Sequence, residues 1–422
     1  MENLEVREIP QKTGYEQIIK TLIANHSQIT SYYSRIDYTM DKREPDFVDA
    51  CYDSKDLSPL DKVTVIIPTH NRNYYLSRCL WYHAHFPFGE IIVADSSNDE
   101  KRAINRKTVA EIQRDFSTKI THIEYDYPPE EYGGDIYRKW GDAVQHVETE
   151  YSLSCTDKEF LIPTSVSQAV LFLDERPDYS IADSTYLVAE SPDLVYPWQS
   201  DISFESDDVV VRLKELVDFK LGVGTQFALR ASSQHKLMFE NLAKYELYDL
   251  RFGEIEIELF PLLSGKTRRD TTSYLSIRDV SKSRKKFSTV KSESSFLRYP
   301  FIYEYPAERY TSLWKQMSDF IAEHSQKQVS SELINDVLQS FISGRYREED
   351  SRKENMIRKF FPVFPYTIRC ILSKLFGSGR MPKKLTRHTK SPEINLILKL
   401  MRISSKYYDK DIVVHHYLTE CL

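Results

Sequence analysis

One ten-residue segment limits the folds open to this chain more than any other: Val63-Thr-Val-Ile-Ile-Pro-Thr-His-Asn-Arg72. A Val/Ile-rich run stops at Pro68 and passes at once into a polar loop carrying Thr69, His70, Asn71 and Arg72. Such a run predicts a buried strand that delivers a ligand-binding loop. Glu90-Ile-Ile-Val-Ala-Asp95-Ser-Ser-Asn-Asp99 repeats the pattern, ending in a carboxylate with hydroxyl and amide neighbours. Between the two, Leu76, Cys79, Leu80 and His83 recur at helical spacing, which predicts a β-α-β unit. Parallel strands joined this way collect ligands at their carboxyl ends, where Asn71, Arg72 and Asp95 are expected.

In order and spacing these residues resemble the family 2 glycosyltransferases, whose opening strand commonly reads Val-Ser-Ile-Ile-Pro-Thr-Tyr-Asn-Arg and whose second ends in Val-Asp-(Asp/Gly)-Ser. The resemblance covers roughly residues 61–280. It implies a GT-A fold: an α/β domain with an open, twisted, mostly parallel sheet flanked by helices, built to bind a nucleotide sugar. It also implies that Pro68, Thr69, Asn71 and Arg72 line the nucleotide and that Asp95 hydrogen-bonds the base. In Gly133-Gly134-Asp135-Ile-Tyr-Arg138-Lys139-Trp140, Ile136, Trp140, Ala143 and Val147 fall on one helical face and leave Arg138 and Lys139 off it. Lys139 there either approaches phosphate or base, or is the solvated cation of an ordinary amphipathic helix.

The segment Tyr151-Ser-Leu-Ser-Cys-Thr-Asp157-Lys158-Glu159-Phe-Leu-Ile-Pro163 stands where the family carries its Asp-x-Asp motif. The resemblance implies that Asp157 and Glu159 hold the ribose and a divalent cation, Mg²⁺ or Mn²⁺, which neutralises the departing diphosphate. Lys158 departs from the pattern, because an acid is usual at its position. Either Lys158 points away and both acids still bind metal, or its ammonium takes over part of the cation's work. After Thr164 and Ser165, Val166, Ala169, Val170 and Leu173 form a helical stripe that Pro177 ends.

An acid cluster follows in Tyr248-Asp249-Leu-Arg-Phe-Gly253-Glu254-Ile-Glu256-Ile-Glu258. Its Gly-Glu step resembles the family's Glu-Asp motif, with Ile255 where the catalytic base is usual. Glu254 is therefore the leading base, with Glu256 and Asp249 behind it. As a helix, the segment packs Phe252, Ile255, Leu259 and Leu262 inward and sets Glu254 and Glu258 one turn apart; as a strand, the three glutamates alternate with apolar residues. The resemblance favours the helix, and it implies inversion by direct displacement with no covalent sugar intermediate.

At 422 residues with 41% apolar content, the chain has room for two or three regions. Residues 1–60 read as a helical arm or cap, with Ile18, Ile19, Leu22 and Ile23 on a stripe. Beyond 281 the texture turns helical, as in Leu313, Met317, Phe320 and Ile321. Between 352 and 390, eleven Lys and Arg stand against the single acid Glu354, interleaved with aromatic residues. That composition suits an anionic membrane surface, where a lipid-linked acceptor would fit, or else a helical domain whose basic face balances the acidic remainder of the chain or meets another copy. A formal charge of −6 and the lack of a recognition motif speak against nucleic acid.

The acidic N-terminus and the absence of any apolar run long enough to span a bilayer predict a cytoplasmic protein, peripheral at most. Five scattered cysteines and unclustered histidines predict neither a zinc site nor a disulfide framework. The combined expectation is a glycosyltransferase acting on a glycan or glycolipid in surface polysaccharide assembly. Two alternatives are a non-catalytic scaffold with the same fold, which the Lys158 and Ile255 departures motivate, and a sugar nucleotidyltransferase, which would want a glycine-rich loop after the first strand.

Overall fold

The computed structural model describes residues 56–126, 135–191, 194–198, 202–219, 225–247, 250–279 and 307–344, together with 394, 397 and 398. The expected N-terminal helix, the Gly133-Gly134 step, Asp249 and the basic segment 352–390 lie outside these residues.

The fold is α/β, with an open sheet flanked by helices. Strand β1 (Val63–Thr69) is buried along its whole length, as a strand covered on both faces must be. Helix α1 (Asn73–Ala84) leads to β2 (Glu90–Asp95), and α2 (Asp99–Asp115) leads to β3 (Ile120–Glu124). Helix α3 (Asp135–Gln145) precedes β4 (Tyr151–Ser154). Strands β3, β2, β1 and β4 are neighbours in that order and parallel throughout. The β1–β2 register sets Thr69 beside Asp95 at the carboxyl edge. Pro68 is tolerated inside this central strand for a positional reason. Ile66 faces β4, accepting a hydrogen bond from Cys155 N (2.9 Å), so the missing N–H of Pro68 also falls on that side, past the last paired residue Ser154.

The rest of the sheet comprises β5 (Glu159–Leu161), β6 (Tyr179–Ser191), β7 (Leu194–Trp198), β8 (Leu229–Ala231) and β9 (Lys266–Asp279). The path runs β3-β2-β1-β4-β8-β6-β9-β5, with β7 alongside β6. Only β8, β7 and β5 run against the others, so β6 and β9 end at the same edge as β1 and β2. The sheet is thus mixed: its first half is parallel, and among the described residues the second half holds one parallel pairing, β6–β9, among four antiparallel ones.

Although β5 lies at the far end of the path from β4, its outer edge is met by α1. Tyr82 Oη donates to Leu161 O (2.8 Å), and Leu161 N donates to His83 Nε2 (3.2 Å). The two side chains satisfy an edge that would otherwise be an open pairing template.

Helix α4 (Pro163–Glu175) buries the expected stripe of Val166, Ala169, Val170 and Leu173. Its start differs from the sequence reading: Pro163 occupies the first helical position, where a missing N–H costs nothing, and no side chain caps the end. The remaining helices are α5 (Val209–Phe219), α6 (Ser232–Lys244), α7 (Leu250–Ser264), α8 (Ala307–His324) and α9 (Ser331–Gly344). Helix α8 packs on α7 and α9 on α5, and Leu313, Met317, Phe320, Ile321, Val337 and Phe341 belong to the same apolar cluster as Val65 and Ile92.

Candidate functional site

The carboxyl edge of β1, β2 and β4 gathers most of the polar residues singled out in the sequence. Thr69, the last residue of β1, donates from Oγ1 to Asp157 Oδ2 (3.0 Å), and Arg72 Nη1 lies 3.4 Å from Asp157 Oδ1. Asp157 is 1% exposed, whereas the Arg72 side chain is 53% exposed, so the guanidinium spans from a buried carboxylate to the surface. Burial pushes the Asp157 carboxyl up, and Arg72, Thr69 and Lys158 counter it.

Lys158 sits beside this pair with Nζ 4.5 Å from the centroid of the Tyr75 ring. Burial depresses its pKa, and the charge of Arg72 depresses it further. Arg78, on the buried face of α1, donates to Asp279 Oδ2 at the carboxyl end of β9 (2.9 Å) and stands 5.6 Å from the same Tyr75 ring. The Asp279 amide closes the group by donating to Lys158 O (2.9 Å).

Asp95 is placed where expected, but its carboxylate is engaged by the protein. Ser97 N (2.8 Å) donates to Oδ1, Asn105 Nδ2 (2.7 Å) donates to Oδ2, and His122 Nε2 lies 3.1 Å from Oδ2. Burial pushes this carboxyl up, yet the hydrogen bonds from His122, Ser97 and Asn105 outweigh it and hold the pKa at about 2. Asn71 occupies the left-handed region at φ 54°, which asparagine tolerates better than most residues. Its amide donates to Ser97 Oγ (2.7 Å) and its Oδ1 accepts from Asn98 N (2.9 Å). The loops after β1 and β2 are thereby stitched together, with His70 Nδ1 2.7 Å from Ser96 O adding a third tie. Asn98 in turn caps α2, accepting from Lys101 N (2.9 Å).

Lys139 on α3 is not a solvated cation. It is buried, with Nζ donating to Thr69 O (2.9 Å) and Ser96 Oγ (2.7 Å), while its neighbour Arg138 is exposed. The buried face of α3 is centred on Tyr137, Trp140 and Val144, and Ile136 lies at its half-buried margin. Trp140, Ala143 and Val147 of the expected face are buried, and Tyr137 and Val144 widen it.

The geometry bears on two expectations about the acids. Asp157 and Glu159 do not converge as a pair of metal ligands. The Glu159 carboxylate is taken by Arg278 on β9 and by Thr156 N (2.8 Å), whereas Asp157 is held by Thr69 and Arg72. Among the described residues no group of three or more His, Cys, Asp or Glu is placed to hold an ion. With Arg72 and Lys158 flanking the remaining carboxylate, the donor set does not fit a divalent cation.

Glu256 is sealed. It has no exposed surface, both carboxylate oxygens lack a hydrogen-bond partner, and burial pushes its pKa well up despite the charge of Arg230. A general base must meet the proton it removes, and Glu256 cannot from there. The segment is helical, as the resemblance implies, but α7 is buried nearly all round, with Phe252, Ile255, Glu256, Ile257, Glu258 and Leu259 all inside. Glu254, half-buried in the second turn, is the acid with access among the described residues of the cluster. Gly253 beside it lies against the Tyr137 ring of α3, two residues before Lys139.

Arg78, Tyr75, Asp279, Asn105 and His122 were missed. Each reaches the edge through strand register or through the pitch of α1 or α2, and no local motif marks them. Cys79 and Cys155, far apart in sequence, also meet here as buried free thiols: each lies within 3.7 Å of both Thr156 O and Glu159 O. Two cavities lie elsewhere, one of about 160 Å³ among α4, β6 and β9, the other a groove of about 530 Å³ between α8 and α9.

No family model matches this chain, and no curated protein matches it. Among solved structures it is similar to S. aureus TarS, at 14% identity and a TM-score of 0.37, over 67% of this chain and 54% of that one. The TarS 1–349 complex with UDP-GlcNAc aligns at 13% identity and a TM-score of 0.36, over 69% of this chain and 91% of that one. The mannosyltransferase PcManGT from Pyrobaculum calidifontis, in complex with GDP-Man and Mn²⁺, aligns at 13% identity and a TM-score of 0.41, over 93% and 99%. This chain spans about half the length of the TarS structure. The donors and the ion belong to those structures.

Proposed function

We propose that the chain is a glycosyltransferase of the family 2 type, with a GT-A-like domain over residues 61–280, moving a sugar from a nucleotide-sugar donor to a hydroxyl of a glycan or lipid-linked acceptor. One observation carries this reading: at the carboxyl edge of the sheet, Thr69 and Arg72 both hold Asp157, with Lys139 behind Thr69 and Lys158 beside them. A donor needs its diphosphate neutralised and its ribose hydrogen-bonded; this edge offers cations for the first and a buried carboxylate for the second.

In the proposed reaction the acceptor oxygen attacks the anomeric carbon as the bond to the diphosphate oxygen breaks, inverting that centre. The acceptor proton passes to the Glu254 carboxylate, and the charge on the departing diphosphate is met by Arg72 and Lys158. Asp95 supports the site at one remove. With its oxygens committed to Ser97, Asn105 and His122, it fixes the loop after β2, whose Ser96 and Ser97 reach Lys139 and Asn71.

Residues 1–60 as an arm, 281–422 as a helical region, and 352–390 as a contact to an anionic membrane complete the proposal, placing the enzyme on the cytoplasmic side in surface polysaccharide or glycolipid assembly. Among the described residues no helix is long and apolar enough to cross a membrane. The scaffold alternative keeps one supporting observation, the sealing of Glu256, which leaves fewer acids to act as base.

A thermal-shift screen of UDP-, GDP-, CMP- and dTDP-sugars followed by turnover of the labelled hit tests the reading. Glu254→Gln is expected to cut turnover by about 10²- to 10⁴-fold while donor binding persists, and Asp157→Asn to weaken donor binding. Turnover that survives both changes removes the residue assignments, and failure to bind any nucleotide favours the scaffold.

A further inference from the structure

Of the two acids of the motif, Asp157 is the one at the donor edge, and it already shares its oxygens with Thr69 and Arg72. The second acid of the motif, Glu159, is turned to Arg278 and the Thr156 amide. The acid usual between them is replaced by Lys158. Its Nζ stands over the Tyr75 ring, and Arg78 approaches the same ring while anchored by Asp279. Tyr75 thus offers its ring to two cations, an attraction that helps to hold positive charge at the edge against its own repulsion.

We propose that fixed side-chain cations, Arg72 and Lys158, take the place of a divalent ion on the donor diphosphate, so that nucleotide binding needs no metal. The inference rests on the donor-site reading above. A diphosphate needs roughly two positive charges close to its oxygens; a guanidinium supplies a planar fork and an ammonium a compact point charge, together the charge of one Mg²⁺ or Mn²⁺. An ion brought to Asp157 would displace Arg72 or lie beside it, and it would meet Lys158 as well. The carboxylates at the edge, Asp95, Asp157 and Asp279, are each already engaged by protein donors, whereas a hard divalent ion selects carboxylates free to turn to it.

Isothermal titration of the full chain with UDP, GDP, CDP and dTDP, each in EDTA, Mg²⁺ and Mn²⁺, tests this. The best-bound diphosphate is expected to keep its affinity within about threefold across the three conditions, and Lys158→Gln to weaken it by about tenfold or more in all of them. Lys158→Arg keeps the charge and is expected to stay metal-independent, which guards against a glutamine variant that fails to fold. Lys158→Asp restores the missing acid and is expected to lose binding in EDTA and regain it with Mn²⁺. Binding by the unaltered protein only in Mg²⁺ or Mn²⁺, or an affinity unmoved by Lys158→Gln, overturns the inference and leaves the donor site standing. Absence of binding by all four diphosphates in every condition removes both.

Discussion

Asp95 keeps its charge in complete burial because three side-chain and backbone groups converge on it. Its folded pKa of about 2 lies below the ordinary 3.8, so the carboxylate stabilises the fold above about pH 4 and loses that contribution as the pH falls toward about 2. The shift corresponds to about 2 kcal/mol at neutral pH. Asp95→Asn is therefore expected to lower the unfolding free energy by about that amount near pH 7, with the gap to the unaltered protein closing between about pH 4 and pH 2. Denaturant titrations at several pH values check this; a gap that stays constant assigns the loss to the amide's shape and not to charge. The position of Asp95 was legible in the sequence, since a carboxylate after an apolar run is a strand-end signal. Its partners were not. Asn105 and His122 meet it only through the pitch of α2 and the β2–β3 pairing, neither of which a linear pattern encodes.

At the scale of elements, the contact of α7 with α3 ties the candidate base to Lys139. A Cβ added at Gly253 would lie 2.8 Å from the Tyr137 ring and 3.1 Å from Leu247 O. Alanine in a helix interior normally gains up to about 1 kcal/mol over glycine, but overpacking a filled interface costs about 1–3 kcal/mol. The clash should win: Gly253→Ala is expected to destabilise the protein and also to reduce turnover, because the two helices must part where Glu254 and Lys139 are held. Thermal melts and donor turnover check both; a stabilised, fully active variant would show the interface to be slack. The helix itself was ambiguous in the sequence because its apolar residues fit both a helical stripe and a strand alternation. A helix buried on nearly every side leaves little polar periodicity to read. The acids of the Asp-Lys-Glu triplet meet different neighbours for a related reason: Asp157 lies in the turn before β5 and Glu159 is the first residue of the strand, so the alternation that sets residues i and i+2 on one face does not hold across them.

Across the whole molecule, α8 and α9 add no separate core. Phe320 and Phe341 are inside the same apolar cluster as the sheet, so the helical pair and the sheet should unfold together. Phe341→Ala is expected to cost about 3–5 kcal/mol and to lower a single calorimetric transition rather than split it; two resolved transitions would show the helices melting on their own. The stripe Leu313, Met317, Phe320 and Ile321 was plain in the sequence and is fully buried in α8. The partner of that stripe was not plain, since apolar periodicity names the face that is covered and is silent on what covers it.

The short path from β4 to β5 leaves the parallel half of the sheet and rejoins it at β9, so residues 155–158 form a strap across two sections far apart in strand order. A ligand that grips Asp157 pulls on both ends of that strap. Its footprint in amide hydrogen exchange should therefore include slowed exchange at Asp279, whose N–H is bound to Lys158 O, more than a hundred residues along the chain from the atom that the ligand touches.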